Sequence, residues 1–314
     1  MKKVFIDGSE GTTGLRIFER FESRDDIELL KIPSELRKDP VEVKKYINES
    51  DITFLCLPDA AAREAVAMVE NENTIILDTS TAHRTEAGWA YGYPELSAAH
   101  REAIRTGKRI AVPGCYATGF ITTAYALAAG GILPKDYPVS AFAVSGYSGG
   151  GKKMIAQYQA QDKEKELSSA RLYALSQSHK HLKEMKAISG LERTPLFSPM
   201  VTDYYSGMTV SLTFYADMLN GRQTPETVRE YLAKHYAGEK FITVQPLGAE
   251  AESGGVLFSS ARSGWDGLEI YVTGNEDRIM VTTRFDNLGK GASGAAIQCM
   301  NIVLGCEEDK GLTV

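Results

Sequence analysis

Over roughly the first hundred residues, short apolar runs alternate with longer segments whose apolar positions recur every third or fourth residue. Residues 4–6, 27–30, 52–57 and 74–77 are dominated by Val, Ile, Leu and Phe and have the length of strands. Between them, residues 14–23, 41–49 and 59–70 keep their apolar side chains on one face at helical spacing. Such runs are buried on both faces, and a helix between successive strands makes them parallel. The front of the chain therefore predicts an α/β layer, a parallel sheet with crossover helices. Residues 109–112 supply one more strand and 117–129 another helix.

From about Tyr137 the texture changes. Residues 139–145, 208–215, 242–246, 268–273 and 279–285 alternate apolar and polar positions and are rich in threonine and tyrosine. Helical stretches at 152–186 and 225–236 separate some of them. This pattern predicts a mixed or antiparallel sheet covered by helices. The tail, 291–304, is a helix of small residues (Ala292, Gly294, Ala295, Ala296) that needs a large neighbour to bury it, so it is expected to return to the first domain.

With 314 residues the chain has room for two domains, and 43% hydrophobic residues can build their cores without disulfides or a metal. Its 35 Lys and Arg against 41 Asp and Glu leave a net charge of −6, which argues against nucleic acid or an anionic membrane as the main partner. A local basic patch for a phosphorylated small molecule is compatible with that balance. Cys56, Cys115, Cys299 and Cys306 show no CxxC or histidine-containing spacing, so no metal site is expected. The apolar run after Met1 is too short for a signal peptide, and residues 119–133 are broken by threonines and glycines. A reduced, cytoplasmic protein is the expectation, a setting in which a reactive thiol persists.

Gly8-Ser9-Glu10-Gly11-Thr12-Thr13-Gly14 follows the first strand and opens a helix. Such a triplet serves either as an ordinary strand-to-helix turn or as a cradle for a pyrophosphate on free N–H groups at the helix start. Its place after strand one of an alternating fold, with Thr12 and Thr13 as added donors, favours a nucleotide, although the spacing is not G-x-G-x-x-G. Cofactor choice is read at the end of the second strand. There Ser34, Arg37 and Lys38 suit the 2′-phosphate of NADP, and Glu35 dissents.

Cys115 lies in Val112-Pro113-Gly114-Cys115-Tyr116-Ala117-Thr118-Gly119, at a strand end, a turn and a helix start. A thiol there has its anion stabilised by the helix dipole and free N–H groups, so Cys115 is a candidate nucleophile; the alternative is a buried structural cysteine, as Cys56, Cys299 and Cys306 read. A thiolate needs an acid–base partner, and His179-Lys180-His181 is where two of the five histidines meet. Lys180 between them disfavours two cationic rings. His100 and His235 fall on charge-rich helical stretches and read as exposed, whereas His83, in a polar loop after a strand, ranks below the pair as a residue near the cofactor. A second glycine-rich turn, Ser145-Gly146-Tyr147-Ser148-Gly149-Gly150-Gly151-Lys152-Lys153, offers N–H groups and hydroxyls for a phosphate or an oxyanion, or is a plain connecting loop. It lacks the P-loop ending, which excludes an NTPase.

Taken in order, these segments resemble the N-acetyl-γ-glutamyl-phosphate reductases of the semialdehyde dehydrogenase superfamily. The likeness is carried by the residue 8–14 turn, Leu77-Asp78-Thr79-Ser80, Tyr91-Gly92-Tyr93-Pro94-Glu95-Leu96, Pro113-Gly114-Cys115-Tyr116, Ser145-Gly146-Tyr147-Ser148-Gly149, His179-Lys180-His181-Leu182-Lys183-Glu184 and Asp286-Asn287-Leu288-Gly289-Lys290-Gly291-Ala292. Lys180 and Lys183 stand where the family usually has arginine and proline, and Ala117 where proline is common; the short chain resembles the family's shorter subgroup. The resemblance implies a Rossmann-like NADP(H)-binding domain at 1–115, completed by about 291–314, and an α+β substrate and oligomerisation domain at 116–290. It implies a homo-oligomer, dimer or tetramer, and NADPH-dependent reduction of N-acetylglutamyl phosphate through a Cys115 thioester. One of His181 and His179 would move the proton; the other, with Arg171, would hold the substrate carboxylate, and Ser145, Ser148 and Gly149 would serve the phosphate. Gly8, Gly11, Thr12, Thr13, Gly14, Ser34, Arg37 and Lys38 would bind cofactor. Aspartate-semialdehyde dehydrogenase or a related acyl-phosphate reductase is the alternative of the same class, and a non-catalytic NADP(H)-sensing protein the alternative outside it.

Overall fold

The apolar runs at the front of the chain become the interior of a wholly parallel sheet. In the computed structural model, which describes residues 1–314, the first unit comprises Met1–Gly114 and Ala292–Leu312. Its strands are β1 (Lys2–Asp7), β2 (Ile27–Leu30), β3 (Ile52–Leu55), β4 (Ile75–Asp78), β5 (Ala90–Tyr91) and β6 (Arg109–Ala111). They lie in the order β2-β1-β3-β4-β6-β5, every neighbouring pair parallel. Crossover helices α1 (Thr12–Phe21), α2 (Pro40–Glu49), α3 (Asp59–Ala67) and α4 (Ala98–Thr106) join them. Local chemistry sets two helix starts: Asp39 accepts from the Val41 N–H with Pro40 at the first helical position, and Ser97 accepts from the His100 N–H. The chain passes from one side of β1 to the other between β2 and β3. That switch is where an open α/β sheet leaves a crevice at its strand ends.

The late helix α9 (Gly294–Leu304) belongs to this unit. Ala295, Ala296, Ile297 and Met300 pack into the core formed by Val4, Phe54, Leu77 and Ile110. Its small side chains let the helix backbone lie close against the sheet, which replaces hydrated backbone by dispersion contact.

The second unit comprises Cys115–Gly291 and Thr313–Val314. Its strands are β7 (Ser140–Gly146), β8 (Arg171–Leu172), β9 (Leu196–Thr202), β10 (Met208–Tyr215), β11 (Ile242–Val244), β12 (Leu268–Gly274) and β13 (Arg278–Phe285). They form a mixed sheet in the order β11-β12-β13-β10-β7-β9-β8. Helix α5 (Cys115–Ala129) packs on β10 and β13 and is apolar nearly all round because it is covered on all sides. At Gly119 any side chain would press into Thr283, Val210 and Phe285, so glycine there sets how near α5 approaches the sheet. The opposite sheet face carries Phe142, Leu196, Tyr215 and Met280, which are 46%, 60%, 60% and 38% exposed. Towards one edge it holds a buried polar group: the Glu269 carboxylate receives Arg284 Nε at 2.9 Å, Gln245 Nε2 at 3.0 Å and the Arg262 guanidinium. Burial pushes the Glu269 carboxyl up, but the two arginines outweigh it and hold the group below its ordinary range. No helix of the protein is long and apolar enough to cross a membrane.

The helical expectation for residues 152–186 is corrected. Helix occupies Gly151–Gln159 (α6) and Leu182–Ser189 (α7), and between them lie a short turn at Lys165–Ser168 and the edge strand β8. The charged run from Asp162 to Glu166 has helix-forming residues but no apolar face to bury, and Ala174 and Gln177 take positive φ, which ends regular structure. Strand β9 escapes the sequence pattern because Pro199 argues against an interior strand; it is flanked on one side only by the two-residue β8.

Candidate active site

At the carboxyl end of β1 the chain turns through Gly8, with φ +81°, and the Gly11 N–H closes the turn on the Gly8 carbonyl at 2.9 Å. A side chain at Gly8 would strike the Cys56 carbonyl, and one at Gly14 would strike the Gly8 carbonyl, so backbone packs directly on backbone. Helix α1 then starts from Gly11 with no side-chain cap, and the Thr12 hydroxyl is buried without a hydrogen-bond partner. Uncapped N–H groups and an orphaned hydroxyl at a glycine-walled helix start fit a dinucleotide pyrophosphate. Thr13 follows on the same turn. In the loop after β2, Arg37 reaches the turn and pairs with Glu10, Ser34 donates to Glu35 at 3.2 Å, and Lys38 is exposed. Of the three, Arg37 is the one brought to the turn.

Under it lie groups whose ionisation is altered by burial. Burial pushes the Asp7 carboxyl up to about 6 against the pull of the Gly8 N–H. It pushes the Cys56 thiol up to about 12, with a hydrogen bond to Thr79 opposing and the charges of Asp78 and Asp7 adding. His83 is held within this unit: its Nδ1 is 2.6 Å from Asp78 Oδ2, and its ring stacks on Trp89 at 4.1 Å. Asp78 also accepts from the Ser80 N–H and hydroxyl at 2.9 and 2.7 Å. His83 is therefore committed to a buried acid pair at the end of β4. His100, expected to be exposed, is only partly so, and its Nδ1 lies 2.8 Å from the Ser97 hydroxyl. His235, in the second unit, is likewise only half-exposed, because its ring packs against that of Tyr236 at 4.7 Å.

The second unit opens on Cys115, the first residue of α5, which is half-buried. A side chain at Gly291 would press on Cys115 Cβ at 2.8 Å, so the bare backbone of residue 291 makes the seat for the nucleophile candidate. Beside it, Tyr116 is buried, donates to the Met200 carbonyl at 3.3 Å, and forms the centre of an aromatic cluster. Its ring centroid lies 5.7 Å from His179, 6.1 Å from His181, 6.3 Å from Tyr173 and 5.3 Å from Phe197. Burial raises the Tyr116 phenol, and Tyr173 and Cys115 raise it further, so Tyr116 stays neutral. Tyr173 is raised by burial as well.

The two histidines differ in what they touch. The His181 backbone N–H donates to His179 Nδ1 at 3.1 Å, and His179 Nε2 lies 3.4 Å from the Tyr173 hydroxyl. An imidazole that accepts at Nδ1 carries its proton on Nε2, so His179 is held as one neutral tautomer. His181 is buried immediately before α7, its ring 4.7 Å from that of His179. Arg171, on β8, lies over the Tyr158 ring at 5.4 Å, and its charge is felt by the Tyr173 phenol.

The second glycine turn is also assembled here. Ser145, one residue before the end of β7, is buried, and Ser148 is buried in the turn that follows. A side chain at Gly149 would sit 3.6 Å from Ser145 Oγ and 3.5 Å from Asn287 Nδ2. Sequence reasoning gives no role to Asn287, Gly291, Tyr116 or Tyr173. Tyr116 and Tyr173 stand next to or near residues already singled out, but Asn287 meets Ser148 across 139 positions, which no local pattern reveals.

Family models agree with this division. Residues 3–105 match the semialdehyde dehydrogenase NAD binding domain, and residues 115–287 match the semialdehyde dehydrogenase dimerisation domain. The chain belongs to the semialdehyde dehydrogenase family. The dimerisation-domain match runs from Cys115 to Asn287, the two ends of the cluster described above. Among the relatives of this chain is the N-acetyl-gamma-glutamyl-phosphate reductase 2 of Nostoc sp., 43% identical over 99% of each chain. Another is the N-acetyl-gamma-glutamyl-phosphate reductase of Brucella ovis, 44% identical over 96% of this chain and 99% of that one. Among solved structures, aspartate semialdehyde dehydrogenase from Francisella tularensis superposes with a TM-score of 0.73 at 14% identity, covering 97% of this chain and 100% of that one. The aspartate semialdehyde dehydrogenase II of Vibrio cholerae gives 0.73 at 13%, covering 97% and 99%. At those identities the likeness is one of fold.

The geometry sets an order of thiol reactivity. Iodoacetamide on the native protein is expected to alkylate Cys115 first and to leave Cys56 and buried Cys299 unmodified until denaturation, as read by peptide mass mapping. Gly291→Ala is expected to slow Cys115 alkylation about tenfold, since a misplacement of ~1 Å costs a reacting group up to about a hundredfold. Equal labelling of Cys115 and Cys299 would contradict this placement.

Proposed function

We propose that this chain reduces N-acetyl-L-glutamyl 5-phosphate to N-acetyl-L-glutamate 5-semialdehyde and phosphate, with NADPH as reductant, in arginine biosynthesis. The observation that carries the proposal is the gathering of a helix-opening cysteine, a histidine pair and a hydroxyl-lined glycine turn in one unit. The names and near-complete coverage of the 43–44% identical relatives supply the substrate.

The chemistry follows from the side chains. The Cys115 thiolate, favoured by the α5 N-terminus, attacks the acyl carbon; a C–S bond forms, the bond from carbon to phosphate oxygen breaks, and phosphate leaves. Ser145, Ser148 and the Gly149 backbone hold the phosphate group. Reduction of the thioester takes a hydride, which a nicotinamide would supply when bound. His181 gives a proton to the oxygen of the resulting thiohemiacetal and takes it back as the C–S bond breaks, which releases the aldehyde and restores the thiolate. His179 is assigned the supporting part, since its Nδ1 accepts from the His181 N–H and fixes that backbone. Arg171 is the cation for the substrate carboxylate. Gly8, Gly11, Thr12, Thr13 and Gly14 would hold the dinucleotide, and Arg37, with Ser34 and Lys38, would favour its 2′-phosphate.

The exposed apolar face of the mixed sheet is where we place the contact with a second copy. Phe142 and Leu196 lie on neighbouring strands of it, and the matched domain is described as a dimerisation domain.

Cys115→Ser is expected to lower NADPH-dependent turnover by at least about a thousandfold, and His181→Asn by about a hundredfold or more. His179→Asn is expected to cost less; a larger loss there reverses the two histidines. Near-normal turnover in Cys115→Ser, or preference for aspartyl phosphate over N-acetylglutamyl phosphate, ends the proposal. For the cofactor, Arg37→Ala is expected to weaken 2′,5′-ADP binding about tenfold in calorimetry while sparing 5′-ADP; equal losses would remove Arg37 from the 2′-phosphate. Phe142→Asp is expected to lower the mass seen in sedimentation velocity, and an unchanged mass places the interface elsewhere.

A further inference from the structure

Asn287 and Ser148 are each 1% exposed, and the carboxamide bridges two backbone segments. Its Oδ1 accepts from the Gly207 N–H at 2.8 Å, and its Nδ2 is 3.0 Å from Ser148 Oγ. The Gly207 N–H can only donate, so the oxygen of Asn287 must face it and the amide nitrogen must face Ser148. Ser148 is thereby an acceptor toward Asn287, and its own proton has to point elsewhere. Gly149, the next residue, is exposed and brings no side chain beside Ser148. The clamp is itself held. The neighbouring Asp286 accepts from the Leu288 N–H at 2.8 Å, from the Ser206 hydroxyl at 3.3 Å and from the Gly264 N–H. The Gly146 N–H meanwhile donates to the Gly207 carbonyl at 3.0 Å, which ties the same segment to the turn that carries Ser148.

The geometry points to Asn287 as a positioning residue that turns the Ser148 hydroxyl outward as a hydrogen-bond donor for the phosphate group, an assignment that rests on the phosphate role proposed above for Ser148. A free hydroxyl rotor would spend part of its time donating to a neighbour and would accept as readily as it donates. Fixed by an amide N–H, it presents only a proton to an oxygen-rich anion. Asn287 touches neither phosphate nor acyl carbon in this scheme; it acts through Ser148.

Asn287→Asp is the test, because it keeps an oxygen for the Gly207 N–H and replaces the donor to Ser148 by a carboxylate oxygen. Ser148 must then donate inward. In the direction from semialdehyde and inorganic phosphate, KM for phosphate is expected to rise about tenfold or more, with kcat falling far less. The iodoacetamide rate at Cys115 is expected to stay within about twofold of the parent, as the helix start is not displaced. The added negative charge also repels phosphate, so the same substitution is made beside Ser148→Ala. There the rise is expected to shrink to a few-fold, because no hydroxyl is left to turn. An equal rise in both backgrounds means charge alone and overturns the assignment, as does an unchanged phosphate KM in Asn287→Asp while Ser148→Ala raises it. If Ser148→Ala itself leaves phosphate KM unchanged, the phosphate role of Ser148 falls and the clamp falls with it. Should Asn287→Asp fail to fold by circular dichroism, Asn287→Leu carries the same comparison. About a threefold rise is then expected where Ser148 is intact, and none in the Ser148→Ala background, which has no hydroxyl to orient.

Discussion

The close approach of the Gly291 backbone to the first residue of α5 is the contact on which the second unit's chemistry depends. Helix α5 is buried along its length and fixed against β10 and β13, with Gly119 setting its distance from the sheet. A helix so placed has no freedom to slide away from an obstruction at its N-terminus. The thiol can stand half-buried at that terminus only because residue 291 brings no side chain to it. Helix burial, thiol placement and the conformation of the 286–291 turn are therefore one packing problem with one solution.

Around that thiol the electrostatics favour neutral partners. Tyr116 and Tyr173 are held protonated by burial, and His179 is held in a single neutral tautomer by the His181 N–H. A cluster of neutral, hydrogen-bonding rings keeps the dielectric low without adding a competing charge. In such surroundings the dipole of α5 acts on the sulfur with little screening. The charge of Arg171, on the edge strand, lies over the Tyr158 ring.

The first unit solves a different problem, the approach of backbone to an anion. Gly8 and Gly14 pack carbonyl to Cα with no room for a methyl group, and the helix start between them has no side-chain cap. Its free N–H groups and the Thr12 hydroxyl are the complement of a pyrophosphate. Glu10 on that turn pairs with Arg37, an exposed ion pair of small net worth.

Much of this was legible in the chain because it is local. Apolar runs of strand length report burial on both faces, glycines after β1 report a backbone that must turn sharply, and a cysteine after Pro113-Gly114 reports a helix start. These properties depend on a residue and its near neighbours. The sequence also brought His179 and His181 together, since they are two residues apart. It misjudged residues 152–186, where helix-forming side chains have no apolar face and an edge strand intervenes. Tertiary structure alone decided that His179 Nε2 meets the Tyr173 hydroxyl, that Asn287 meets Ser148, that Gly291 makes room for Cys115, and that Arg37 reaches Glu10. The physical reason is that periodicity states that a face will be covered and not by what. The identity of the covering group follows from the path of the whole chain, summed over every turn between the two residues.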